Sequence, residues 1–291
     1  MGERVVGMLG AGLADAAAPL VRADDLGLLR GDGCFESALV RDGDVVWLDA
    51  HLGRLAASAA RLDLPAPDLD AWRALAGEVV RAWGRPGEAV LRLVLTRGPE
   101  DGGPPTGLAM VSALGAKVLR QRAEGVHVLS LSRGMPSDLP AAAPWLLAGV
   151  KALSYAVNMA SVRYAEAKGA DDVVFTSIDG HVLEGPTSTV VWAAGGTLHT
   201  VPATEPILDG ITVRELFGAV DGIPTTVGPA RLEDLHAADG VWLVSSVRRL
   251  APVLSLDGRS CPGGPLTSVL RRALGLPEMA RKSLPEPPRS T

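Results

Sequence analysis

The chain has 291 residues, 47% hydrophobic and 21% charged, a globular balance with room for two modest domains or one large one. Its net charge is -5 and its basic residues are spread along the chain, which excludes the concentrated basic surface that nucleic acid requires. No apolar run approaches the roughly 20 residues of a membrane span. No signal peptide is visible, and Cys34 and Cys261 are the only cysteines, so a cytoplasmic protein without disulfides is expected.

In chain order, the first strong signal is Asp42-Gly43 between Ser37–Arg41 and Val45–Leu48, which predicts a β-hairpin. Leu52, Leu55, Ala59 and Leu62 recur at helical spacing until Pro65 and Pro67 end the run. Leu69, Trp72, Leu75, Val79 and Trp83 predict a second amphipathic helix. Strands follow over Ala89–Thr96 and Leu108–Leu114. The stretch from Arg133 to Pro144, with one Gly and three Pro, reads as an irregular connection.

Beyond it, Lys151–Lys168 is predicted as one helix stopped by Gly169. Asp179-Gly180 predicts a hairpin between Asp172–Ser177 and His181–Glu184. Short helices near Ile211–Ala219 and Leu232–Ala238 and strands over Gly240–Ser246 and Ala251–Leu256 complete the pattern. The expected division is a small α/β domain over 1–117 and a connection with the first strand of the next domain over 118–148. A larger domain over 149–276 and a polar, Pro-rich disordered tail over 277–291 follow.

Only four of the 28 basic residues are lysines: Lys117, Lys151, Lys168 and Lys282. Lys151 sits in the apolar run Ala148-Gly149-Val150-Lys151-Ala152-Leu153. Burial there would disfavour the ammonium and leave the neutral amine that Schiff-base chemistry needs. The plainer reading is a lysine whose stem packs while its amine reaches water. Tyr155, four residues on, would share a helix face with Lys151 and reach the same ligand, or simply pack. Glu184 is either a loop carboxylate or the partner of a pyridine nitrogen. Asp209-Gly210-Ile211-Thr212 opens a short helix, where free N–H groups bind anions; Asp209 or Thr212 is otherwise a cap. Ser245 and Ser246 end a strand and can add hydroxyls, and Arg54 can add a charged contact. The five histidines show no metal-ligand spacing. Val5–Gly12 hints at a dinucleotide-binding turn but lacks the third glycine, and Pro19 interrupts the helix such a turn needs.

Taken together these segments resemble the class IV, or fold type IV, aminotransferase family of pyridoxal-phosphate (PLP) enzymes. The likeness runs through Arg22–Gly27, Arg30–Ser37, His51–Ala59, Val150–Tyr155 with Asn158, Gly169–Asp172, Asp179–Gly185 and Ile207–Arg214. It implies an α/β fold with a small domain and a larger barrel-like PLP-binding domain, the cofactor lying between them. It implies that Lys151 carries the cofactor and shuttles the proton, that Glu184 faces the pyridine nitrogen and that Tyr155 meets the ring oxygen. Arg54, Ile211, Thr212 and Ser246 would hold the phosphate. A homodimer acting on a small-molecule substrate is implied as well.

Within the family, Gly31-Asp32-Gly33-Cys34-Phe35 is most similar to aminodeoxychorismate lyases, and Val244–Arg248 departs from the branched-chain pattern. The Arg-x-His carboxylate trap of D-amino acid enzymes is not seen after Arg97-Gly98. Arg97 is the candidate for a substrate carboxylate contact, or else a strand-end surface charge. The expected activity is elimination of pyruvate from 4-amino-4-deoxychorismate to give 4-aminobenzoate in folate synthesis. D-amino acid or branched-chain transamination is the alternative, and a cofactor-binding homologue without turnover is the non-enzyme alternative.

Overall fold

The structure is a computed structural model that describes residues 4–278. Most of the expected disordered tail therefore lies outside the described residues.

The first half builds one antiparallel sheet. It contains β1 (Arg4–Met8), β2 (Gly12–Ala14), β3 (Gly33–Arg41), β4 (Asp44–Val45), β5 (Glu88–Thr96) and β6 (Gly107–Ala113), in the order β2-β1-β6-β5-β3-β4. Helix α1 (Leu26–Arg30) is a single turn capped by the Asp25 carboxylate and closed by Gly31 in the left-handed region. Helices α2 (Leu48–Arg61) and α3 (Leu69–Trp83) place Leu52, Leu55, Trp72, Leu75 and Val79 against Ala38, Leu91 and Val111 of the sheet. That apolar stripe is the period-3.6 signal read in the sequence. Val5–Gly12 forms the β1–β2 hairpin rather than a strand-to-helix turn.

The predicted Asp42-Gly43 hairpin forms, but its second strand is only Asp44-Val45. Trp47 takes a positive φ and Leu48 already begins α2, so the chain turns into a helix where an extended run to Leu48 was expected.

The remainder contains α4 (Ala116–Glu124), β7 (Val126–Ser132), α5 (Leu139–Ala142), a 3-10 turn (Pro144–Leu146), α6 (Ala156–Ala167), β8 (Asp172–Thr176), β9 (Thr189–Ala194) and β10 (Thr197–Thr200). Then come α7 (Ile211–Ala219), β11 (Thr225–Val227), α8 (Leu232–His236), β12 (Gly240–Ser245), β13 (Arg249–Leu256), β14 (Arg259–Ser260) and α9 (Thr267–Ala273). The second sheet runs β11-β10-β9-β12-β13-β7-β8, mixing parallel and antiparallel pairs. Both of its faces are buried: Val190 and Trp192 of β9 join one apolar cluster, while Val191 and Ala193 between them join another under α7 and α9. Period-2 alternation between two cores explains why these strands read as continuous apolar runs.

A second predicted element is corrected. The helix expected over Lys151–Lys168 begins only at Ala156, with Tyr155 as its N-cap residue. Residues 151–153 instead pair with β3: the Phe35 N–H donates to the Lys151 carbonyl (3.0 Å) and the Leu153 N–H to the Gly33 carbonyl (2.9 Å). The Lys151 carbonyl is taken by a strand of the first sheet, so it is not available to accept a bond within the helix.

Candidate active site

Strand β3 and the segment it pairs with set the position of Lys151. The Lys151 N–H also donates to Ser58 Oγ on α2 (3.3 Å). Its Nζ lies 4.4 Å from the Phe35 ring centroid and 3.5 Å from the Tyr155 hydroxyl. Phe35 and Tyr155 meet edge to face with centroids 5.1 Å apart. The amine therefore has aromatic walls and a single hydroxyl partner. Burial lowers its pKa to about 8; Glu36 and Glu184 oppose that shift, while Arg54 adds to it.

The turn after β8 delivers Glu184: the Phe175 N–H donates to the Glu184 carbonyl and the Leu183 N–H to the Phe175 carbonyl, both at 2.8 Å. One carboxylate oxygen accepts from the Leu208 N–H (3.1 Å). Burial raises the Glu184 carboxyl to about 7, against the Leu208 hydrogen bond and the charges of Lys151, Arg133 and Arg54. Burial, with Glu184 nearby, also lifts the Tyr155 phenol above its ordinary range. An amine and an acid whose pKa values have moved toward neutrality, in one cavity, are the mark of a proton-transfer site.

That cavity has a volume of about 410 Å³ and is lined by Lys151, Tyr155, Glu184, Arg54, Thr212 and Ser246 among others. Six of the predicted residues thus meet, and Ile211 lines the same space. On the same cavity, α7 has Gly210 as its N-cap residue and no side-chain cap. A Cβ at Gly210 would lie 2.5 Å from Thr189 Oγ1, so any larger residue there would displace the Thr189 hydroxyl. The Thr212 and Ser246 hydroxyls are 3.2 Å apart beside it. An uncapped helix start, two hydroxyls and a guanidinium make an anion cradle, and a poised amine with a facing carboxyl suits a pyridine aldehyde. The residues present fit PLP.

A second cavity of about 690 Å³ shares Tyr155, Glu184 and Leu208 with the first and has Arg133, Trp145 and Arg97 on its walls. The structure places Arg97 there, not in the lysine cavity. Its guanidinium holds Asp32 (2.6 Å) and the Leu62 and Asp63 carbonyls (2.6 and 3.3 Å). Four of its five N–H groups are thereby used, which leaves one on Nη1 to meet a substrate carboxylate.

Sequence reasoning missed several neighbours. Arg133, within the stretch read as an irregular connection, stacks on Phe175 (4.6 Å) and donates to Asn158 Oδ1 through both terminal nitrogens (3.1 Å each). Asn158 in turn donates to the Pro186 carbonyl at 2.7 Å. Glu36 and His51 are fully buried beside Arg54. Glu36 lies within the family-like run Arg30–Ser37, but a strand glutamate signals nothing about burial by itself.

The class IV amino-transferase profile matches residues 33–256. The chain belongs to the class IV aminotransferases and is a PLP-dependent enzyme of fold type IV. It is 46% identical over 262 residues to the bifunctional aminodeoxychorismate lyase / D-amino acid transaminase of Mycobacterium tuberculosis, covering 86% of this chain and 91% of that protein. A PLP-bound structure of a hypothetical aminotransferase from M. tuberculosis superposes with TM-score 0.91 at 45% identity, over 93% of this chain and 97% of the other. The fold IV transaminase CpuTA1 of Curtobacterium pusillum gives 0.90 at 42%, over 94% and 97%. Among the described residues no helix is long and apolar enough to cross a membrane.

Proposed function

We propose that the enzyme is a 4-amino-4-deoxychorismate lyase, releasing pyruvate and 4-aminobenzoate, with D-amino acid transamination as a second activity of the same site. The observation that carries this reading is the 46% identity, along 91% of its length, to a protein whose name pairs these two activities. The second, larger cavity supports it, because about 690 Å³ beside Tyr155 and Glu184 accommodates a carbocycle as well as an amino acid.

PLP, when bound, supplies an electron sink for the carbanion left by loss of the proton on the amine-bearing carbon. Lys151 holds the cofactor through its neutral amine and, once displaced by the substrate amine, takes that proton. Glu184 keeps the pyridine nitrogen protonated, and the Tyr155 hydroxyl donates to the ring oxygen. Arg54, the Ile211 and Thr212 N–H groups and the Ser246 hydroxyl hold the phosphate. The electron pair freed by Lys151 expels the neighbouring enol ether oxygen, so the C–O bond breaks, the ring becomes aromatic, and the departing enolate takes up a proton to become pyruvate. For transamination Lys151 instead returns the proton to the cofactor carbon. The shared first step is why one site serves both outcomes. The working unit in this reading is a cytoplasmic homodimer.

Holoenzyme given 4-amino-4-deoxychorismate, and separately D-alanine with 2-oxoglutarate, tests the reading. Release of 4-aminobenzoate, lost in Lys151→Ala, is expected. Glutamate formation without 4-aminobenzoate would refute the lyase and leave a transaminase.

A further inference from the structure

The guanidinium of Arg54 is held from below. Glu36, on β3 and 1% exposed, accepts from Arg54 Nε (2.7 Å) through one oxygen and from Nη2 (2.9 Å) through the other. The second oxygen also meets His51 Nδ1 at 2.7 Å, and the His51 side chain is 0% exposed. Arg54 Nη1 reaches the Asp209 carbonyl (2.8 Å), next to the uncapped start of α7. Three of the five guanidinium N–H groups are thereby fixed in direction. His51 lies three residues before Arg54 on α2, on the same face of that helix, so one turn of helix and one strand residue build the assembly.

A carboxylate this deep is costly unless several donors meet it. Burial raises the Glu36 carboxyl, but Arg54 and His51 outweigh that and hold it down at about 2, so it stays charged. Charge and bidentate geometry restrict Arg54 to one rotamer beside Ile211, Thr212 and Ser246. We propose that Glu36, itself seated by His51, is a positioning residue that presents Arg54 to the phosphate of the cofactor. The proposal rests on reading Arg54 as a phosphate contact.

Equilibrium dialysis of the apoprotein against PLP and against pyridoxal, which lacks the phosphate, separates positioning from a general structural role. Arg54→Gln is expected to weaken PLP binding by about 10- to 100-fold, the scale of one charged hydrogen-bonding group, and to leave pyridoxal unchanged. Glu36→Gln is expected to give the same selective loss, because Arg54 is then released to other rotamers. Should Glu36→Gln lose PLP and pyridoxal equally, or neither, while Arg54→Gln is selective, the positioning role is wrong. Should Arg54→Gln itself be unselective, the phosphate reading of Arg54 fails and the proposal falls with it. If the Gln variant does not fold, Glu36→Asp keeps the charge but shortens the reach. It is expected to show a smaller loss with the same selectivity, and wild-type affinity for PLP in that variant would also overturn the proposal.

Discussion

The Lys151 amine lies 3.5 Å from the Tyr155 hydroxyl across four residues of chain, yet no helix joins them. Lys151 is held as a strand residue by β3, and Tyr155 stands at the start of α6. Tyr155→Phe removes the hydroxyl while keeping the edge-to-face contact with Phe35. The expected result is unchanged stability in urea and a fall in kcat/KM of about fivefold, as one neutral hydrogen bond is worth about 1 kcal/mol. Wild-type turnover in this variant would remove the phenol from the mechanism.

How much of this is legible in the sequence varies with the range of the interaction. Asp42-Gly43 and the stripes of α2 and α3 are local signals, and each marks the element it predicts; at Asp179-Gly180 the chain does turn back on β8, but 181–184 meets it through an isolated Thr176–Val182 bridge and not as the expected strand. The sequence puts Lys151 on a helix because Ala148–Leu153 runs unbroken into the helical residues beyond. Nothing local reveals that Phe35, more than 100 positions earlier, takes its carbonyl while Gly33 takes the Leu153 N–H. The proximity to Tyr155 is thus as expected, but by a different geometry. Helix α4 is polar over most of its length, with Gln121 and Arg122 as its buried residues, so it offers no apolar stripe. The Glu36–His51–Arg54 assembly joins a strand to a helix, and its burial is a tertiary fact.

The lowered pKa of Lys151 sets a pH dependence for cofactor uptake. The neutral amine is the reactive form, so the rate at which apoprotein takes up PLP should rise about tenfold per pH unit and level off above about 8. A lysine in water would keep gaining through about pH 10. Following absorbance after mixing measures this directly. A rate still climbing about tenfold per unit beyond roughly pH 9.5 would contradict the desolvated amine.

Glu184 carries the opposite sign. Its folded pKa of about 7 stands above the ordinary value of 4.5, so the folded apoprotein keeps a proton that the unfolded chain has released. The stability this gives is complete below pH 4.5 and is lost as pH rises through 7. Glu184→Gln is neutral throughout and retains an acceptor for the Leu208 N–H. Relative to wild type, the variant apoprotein should be equal near pH 4.5 and more stable by up to about 3 kcal/mol near pH 8, with catalysis impaired. Chemical denaturation at both pH values decides this, and a difference independent of pH would exclude a buried, proton-retaining carboxyl.

The pairing that holds Lys151 depends on the absence of a side chain at Gly33. A Cβ there would stand 2.4 Å from the Leu95 carbonyl oxygen, 2.8 Å from Thr96 Cα and 2.8 Å from Leu153 Cδ1. Leu153 can rotate, but the two backbone atoms belong to β5, which lies between β3 and β6 and has no room to move. Gly33→Ala therefore pushes β3 off β5 or away from residues 151–153, and either movement displaces the lysine. A loss of about 1–3 kcal/mol in urea is expected, the scale of overpacking in a tight core. A lowered PLP content at saturating cofactor should accompany it. At Gly218, late in α7, an added Cβ would meet nothing within 4 Å. Gly218→Ala should accordingly be neutral or stabilising by up to about 1 kcal/mol, with full cofactor content. If Gly33→Ala also binds a full complement of PLP, the lysine is held by something other than its pairing with β3.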